Sequence, residues 1–302
     1  MDLSFKRIEA EDIETLEPYF YLRPTLVCDS TWFDSYLWRD YYEVCFCRPD
    51  ENAILWRMKE EGQHSMGMPL CKAEDLPKYF EVTRQYCHEV LHSPLRIYEA
   101  DEEAIQILNL DPEKYLVEEA VDSADYVYSA ESLRTLAGKD YHKKKNHVNA
   151  FIKEYEGRFE YRRFNCASKQ EIWQFLDRWE QNKGDDVGHH LDAEVVGLHD
   201  VLNHCEFMRA KMGGIWIDGR LEAFTIGTYN APRKMAVIHI EKANPEIRGL
   251  YPFINQRFLQ EEFPDAELVN REDDVGLPGL RKAKQSYHPL FMARKFNIFE
   301  KE

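Results

Sequence analysis

The spacing of hydrophobic positions along this chain changes from strand-like to helix-like in an order that occurs twice. Phe5 to Ile8 reads as a short strand, and Ile13, Leu16 and Phe20 then share one helical face. A helix over residues 29–38 takes Asp29 or Ser30 as its N-cap. Strand-like runs at Tyr42–Cys47 and Ala53–Met58 flank a turn over Pro49–Asn52. A helix over Glu74–Leu91, a strand over Leu95–Tyr98 and a short acidic helix from Asp101 complete the first copy. The second copy opens with an alternating strand at Arg158–Phe164. Ser168 and Glu171 follow in capping-box spacing, and Ile172, Phe175, Leu176 and Trp179 make a helical stripe. After a helix over Asp192–Arg209, a hairpin joins Gly214–Ile217 to Leu221–Tyr229 through Asp218-Gly219, a favoured pair for tight hairpin turns.

The most informative stretch runs from Met235 to Pro289. A strand, Met235 to Ala243, leads through a turn at Pro245–Gly249 into an apolar-periodic helix over Leu250–Phe263. Pro252 fits the first turn of that helix. A second strand, Ala266–Val269, ends in the polar run Asn270-Arg271-Glu272-Asp273-Asp274. Two strands that end in charge, with a helix start between them, describe the mouth of an α/β site. Between the two copies, residues 125–151 read as connecting helices. Leu133 and Leu136 form an apolar edge stopped by Gly138, and a second helix carries Val148, Phe151, Ile152 and Tyr155. The fold class is therefore α/β with mixed sheets, in two tandem units. We expect one unit at 1–125 and another at 126–302, with 126–156 as connecting helices.

Composition narrows the function. The 302 residues are 44% hydrophobic and 31% charged, which suits a globular chain, and no apolar run reaches the ~18 residues a membrane span needs. The N-terminus, MDLSFKRIEAEDIE, is too acidic for a signal peptide. Seven cysteines without regular spacing point to reduced thiols and a cytoplasmic setting, with Cys45 and Cys47 as buried thiols on one strand face. A formal charge of −16 repels nucleic acid and anionic membrane except at local basic patches. Two such patches exist. Lys139, Lys143, Lys144 and Lys145 open a helix, where cations oppose the macrodipole, and Arg281, Lys282 and Lys284 form the other.

Three stretches carry a resemblance. Leu133-x-x-Leu136-x-Gly138-Lys139-x-x-His142-x-Lys144-Lys145-Asn146-x-x-Asn149-x-Phe151, Asn270-Arg271-Glu272-Asp273 and LPGLRKAKQSYHP at 277–289 resemble an uncharacterised bacterial family. That family is grouped with the C-terminal domain of phosphatidylglycerol lysyltransferase. The resemblance covers nearly the whole chain. It implies a tandem GNAT-like fold related to Fem-type transferases, which move an aminoacyl group from tRNA to an amine or hydroxyl. The true lysyltransferases join this domain to a multi-span membrane domain, and no such span is read in this sequence. A GNAT unit has β-α-α-β-β-β-α-β-α-β order, with a phosphate-binding turn after its fourth strand. The matching turn is Pro245–Leu250, with Arg248 and Gly249 as a degenerate form of a glycine-rich loop.

Acyl transfer needs a base, donors for an oxyanion and contacts that hold the donor. On Met235–Ala243, alternation puts Val237, His239 and Glu241 on one face, so Glu241 or His239 is the candidate base. Glu272 or Asp273 is expected to hold the acceptor's amine, and Asn270 with Arg271 a carboxylate or phosphate. Tyr287 is the candidate oxyanion donor. Arg281 and Lys284 lie three apart on a helix and are candidate donor-phosphate contacts, with Lys143, Lys144, Lys145, Arg248 and Gly249. His189, His190, His199 and His204 look metal-like only in aggregate, and no metal is expected. The N-terminal aromatics, from Tyr19 to Tyr42, read mostly as core. The expectation is a cytoplasmic acyltransferase, with the site in the second copy and no permanently bound cofactor. The resemblance implies aminoacyl-tRNA as donor, reached through the basic patches, and a small-molecule or peptide acceptor. Acyl-CoA is the alternative donor, and a non-catalytic binding module is the alternative class.

Overall fold

The computed structural model describes residues 3–182 and 189–301, with the side chains of 181–192 left aside. Two compact units result, Met1–Asp125 with Asp273–Gly276 and Ala293–Glu302, and Tyr126–Glu272 with Leu277–Met292. The first repeat runs β1 (Lys6–Arg7), α1 (Ile13–Phe20), α2 (Trp32–Leu37), β2 (Cys45–Asp50), β3 (Ala53–Glu60), β4 (Gln63–Met66), α3 (Leu76–Tyr86), β5 (Arg96–Asp101), α4 (Glu102–Leu108) and β6 (Tyr115–Glu119). Next come β7 (Asp125–Ser129), α5 (Ala130–Thr135) and α6 (His142–Glu154). The second repeat runs β8 (Phe159–Arg163), α7 (Lys169–Asn182), α8 (His189–Asn203), β9 (Lys211–Ile217), β10 (Arg220–Asn230), β11 (Met235–Ala243), α9 (Leu250–Glu262), β12 (Leu268–Asn270), α10 (Pro278–Gln285) and β13 (Phe291–Ala293). The final strand is β14 (Lys295–Glu300). From β1 to β6 and from β8 to β13 the order is the same, and it is the GNAT-like order expected from the sequence.

The sheets repeat as well. The first runs β1-β2-β3-β4-β5-β14-β6, the second β13-β7-β12-β11-β10-β9-β8. Each holds one repeat in sequence order with a single inserted strand, β14 beside β5 and β7 beside β12. The parallel pairs β4·β5 and β11·β12 are each joined by a helix, as a parallel pair requires. In the second sheet, Ala223 of β10 belongs to the core that includes Phe151, Phe253 and Phe258 of α6 and α9. The neighbouring Phe224 meets Phe175 of α7 edge-on at 5.5 Å, so helices cover both faces.

Several expectations change. The last strand belongs to the first unit rather than staying with 126–302, because its partners β5 and β6 are far away in sequence. Within 126–156, Asp125–Ser129 is a strand with Tyr126, Val127 and Tyr128 buried. Helix α5 stops at Leu136, whose φ is +49°, before Gly138 is reached. Helix α3 ends at Tyr86, and Cys87–Leu91 form a π turn closed by left-handed His92. The carboxylate of Glu171 accepts from the Trp216 indole at 2.7 Å rather than closing a capping box. Cys166 and Cys205 form a disulfide, contrary to the expectation of reduced thiols throughout, while Cys28, Cys45, Cys47, Cys71 and Cys87 stand outside any disulfide. Tyr19, Phe20, Trp32, Phe33 and Tyr36 are core, and Tyr21 and Tyr41 are exposed.

The first unit is built around a lysine with no exposure. Lys295 Nζ lies 2.6 Å from Asp29, 3.0 Å from Asp125, 3.6 Å from Glu99 and 3.8 Å from Asp273. Burial opposes the charge, but the carboxylates outweigh it and hold the ammonium well above the usual lysine range. Burial, reinforced by Asp29, pushes Glu99 up to about 8. Removing one partner of such a cluster strands the others. Lys295→Met should cost about 3–5 kcal/mol in urea unfolding, and a loss below about 1 kcal/mol would show the cluster to be dispensable.

Candidate active site

Strands β11 and β12 pair over only three positions, Met235↔Leu268, Ala236↔Val269 and Val237↔Asn270. Beyond Val237 and Asn270 the two strands part. Glu241 lies on one arm and Arg271 on the other, and they close the wedge with a 2.8 Å ion pair. The second Glu241 oxygen accepts from Asn255 Nδ2 of α9, also at 2.8 Å. Both carboxylate oxygens are thereby fixed. The Arg271 guanidinium stands 4.7 Å from the centre of the Tyr287 ring, and Lys144 Nζ lies 3.8 Å from the same centre. Arg271 Nη1 is buried without a hydrogen-bond partner.

Local sequence explains these positions. Tyr287 follows α10, its phenol buried beside Arg271, and its carbonyl accepts from Tyr141 just before α6. Lys284 Nζ donates to the Arg271 carbonyl, and the Lys284 carbonyl accepts from Tyr128 of β7. Burial, aided by Arg271 and opposed by Glu241, lowers Lys144 to about 8. Burial also raises the Tyr287 phenol above its usual range, so it stays protonated.

His239 is occupied elsewhere. Its Nδ1 meets Glu272 Oε1 at 2.8 Å and its Nε2 meets the Thr228 hydroxyl at 2.9 Å, with the ring fully enclosed. Asn270 is also buried, and its side chain accepts from the Glu272 amide at 2.6 Å, shaping the turn where Glu272 takes φ +57°. Asp273 lies in the first unit beside Lys295. Lys143, Lys145 and Arg248 are exposed, and only Lys144 of its cluster reaches the wedge. Arg281 is half-buried on α10. Gly249 has φ +85° and packs so tightly that a Cβ would fall 2.2 Å from the His147 carbonyl of α6. His199 stacks on Trp173 and His204 pairs with Asp200, while the side chains of His189 and His190 lie outside those described.

The model of the family described as phosphatidylglycerol lysyltransferase, C-terminal, matches residues 25–299. The chain belongs to this family. A conserved protein of unknown function from Bacteroides thetaiotaomicron superposes with a TM-score of 0.91 at 26% identity, covering 99% of this chain and 100% of that one. L-PGS from Bacillus licheniformis superposes with a TM-score of 0.69 at 14% identity, covering 95% and 91% of the two chains. That similarity is one of fold. An uncharacterised protein of Mycoplasmoides gallisepticum is 24% identical over 176 residues, 58% of this chain, and the chain spans only 56% of that relative.

Within this phosphatidylglycerol lysyltransferase C-terminal member, sequence reasoning missed Asn255 and Tyr128. Asn255 had a signal, since it sits among Ile254, Phe258 and Leu259 as a polar residue on an apolar helix face. Tyr128 had none, because β7 was read as helix.

The state of Lys144 is directly measurable. In carbon-13 reductively methylated protein, the Lys144 resonance should titrate near pH 8, while a midpoint above 10 would contradict the buried site. Because the folded value lies below the ordinary 10.5, unfolding takes up a proton between the two, and stability should rise as pH climbs through that window.

Proposed function

We propose that the second unit is an acyltransferase that moves an aminoacyl group from aminoacyl-tRNA to a small amine or hydroxyl acceptor. The observation that carries this reading is the wedge between β11 and β12, closed by Arg271 and Glu241. Lys144 and Arg271 face one carboxylate there, an excess of positive charge suited to a donor's phosphate or carboxylate. A buried guanidinium nitrogen without a partner is costly, and a ligand oxygen would satisfy it. Tyr287, protonated at neutral pH, donates to the oxyanion of the tetrahedral intermediate. Glu241, held from both sides, receives the proton of the attacking amine or hydroxyl.

The corresponding parallel pair of the first unit, β4·β5, meets only at Met66↔Ile97, in an apolar cluster with Phe80 and Leu95. This contrast favours the second unit as the catalytic one. Acyl-CoA is the competing donor. The close packing of Gly249 on the His147 carbonyl counts against it, because the lone glycine of the phosphate turn is spent on helix packing. Among the described residues no helix is long and apolar enough to cross a membrane. Exposed Lys143 and Lys145 supply the polyanion contact, which predicts binding that weakens steeply with salt.

The test is transfer from a pool of radiolabelled charged tRNA, beside acetyl-CoA and longer thioesters, to amine and hydroxyl acceptors at two salt concentrations. Charged tRNA should be retained and discharged, and Arg271→Ala or Glu241→Gln should each slow discharge by about 100-fold. Turnover of thioesters alone would assign the acyl-CoA reading. Saturable binding with no transfer would assign a binding module.

A further inference from the structure

Cys166 lies just beyond β8 and Cys205 shortly before β9, with their Cα atoms 5.7 Å apart, within the range a disulfide spans. The bond continues the β8·β9 ladder, whose last backbone contact is Phe164 N to Met212 O at 2.9 Å. Helices α7 and α8 both lie between the two cysteines in sequence, so the bond ties the start of α7 to the end of α8. The two helices in turn hold β11. Trp179 of α7 stacks on Lys242 Nζ at 4.1 Å, and Glu194 of α8 pairs with the same nitrogen at 2.5 Å. Lys242 is buried and adjoins Glu241.

We propose that Cys166 and Cys205 form a thiol–disulfide exchange site, reduced by a small dithiol, that sets how firmly helices α7 and α8 grip β11. Cys166 is the half-exposed sulfur and Cys205 the buried one, so attack falls on Cys166. A dithiol thiolate bonds to Cys166 Sγ and the Sγ–Sγ bond breaks, with Cys205 leaving as a thiolate that takes a proton. The second thiol of the reductant then displaces Cys166 as a thiol. The dithiol ends as a cyclic disulfide, and two electrons and two protons pass to the protein. Cys71 and Cys87 are poor competitors, since burial pushes their thiols up to about 12.

The experiment uses the full chain, oxidised with glutathione disulfide or reduced with dithiothreitol. Non-reducing peptide mapping should recover Cys166 linked to Cys205, and alkylation after reduction should label these two before Cys71 and Cys87. Hydrogen exchange over residues 169–180 and 194–203 should quicken by about tenfold on reduction, return on reoxidation, and leave β2 and β3 unchanged. The C166S/C205S variant should exchange like the reduced chain in both conditions. If it does not fold, C166A takes its place. Absence of the linked peptide, or equal exchange in the two states, overturns the proposal. So does stoichiometric zinc uptake by the reduced pair that restores protection, which would make it a metal site instead.

Discussion

The second unit depends on how far a parallel strand pair is allowed to run. Strands β11 and β12 stop pairing after three positions, so the ladder between them has a gap beyond Val237 and Asn270. A gap of that kind in an apolar sheet would collapse or fill with hydrophobic side chains. Here Arg271 and Glu241 bridge it, and Asn255 completes the second carboxylate oxygen. Partial burial makes the pair expensive to desolvate, so its return lies in fixing geometry rather than in stability. The Tyr287 ring beneath Arg271 and Lys144 supplies a face that accepts cations without a counter-charge.

The two repeats use the same scaffold for different ends. Each inserts one strand from outside its repeat into the same relative place, β14 next to β5 and β7 next to β12. In the first unit the inserted strand brings Lys295, itself without exposure, among four acidic side chains. In the second the inserted strand brings Tyr128, whose hydroxyl fixes the Lys284 carbonyl while Lys284 fixes that of Arg271. One insertion places a buried charge, and the other shores up the residue that closes the wedge.

Polar residues around the wedge divide by whether their hydrogen-bonding capacity is used up. His239 has both ring nitrogens engaged, and Asn270 spends its side chain on the next turn, so both read as structural. Arg271 keeps one nitrogen unsatisfied. Residue type alone does not reveal that difference.

By itself the sequence determined the local periods, and with them most helices and hairpins, the doubled element order, and the Met235–Pro289 region as the place where charge meets strand ends. Local patterns suffice there because a period of two or 3.6 is imposed by backbone geometry within a few residues. It also singled out Glu241, Arg271, Tyr287 and Lys144, each as a member of a longer list. Only the tertiary structure brought those four side chains together and placed Asp273, Arg248, Lys143 and Lys145 away from them, since that depends on which side chains the sheet folds inward. It alone placed β14 in the first sheet, read Asp125–Ser129 as a strand, and joined Cys166 to Cys205. Those outcomes rest on contacts between residues 39 to more than 200 positions apart, which no local pattern encodes.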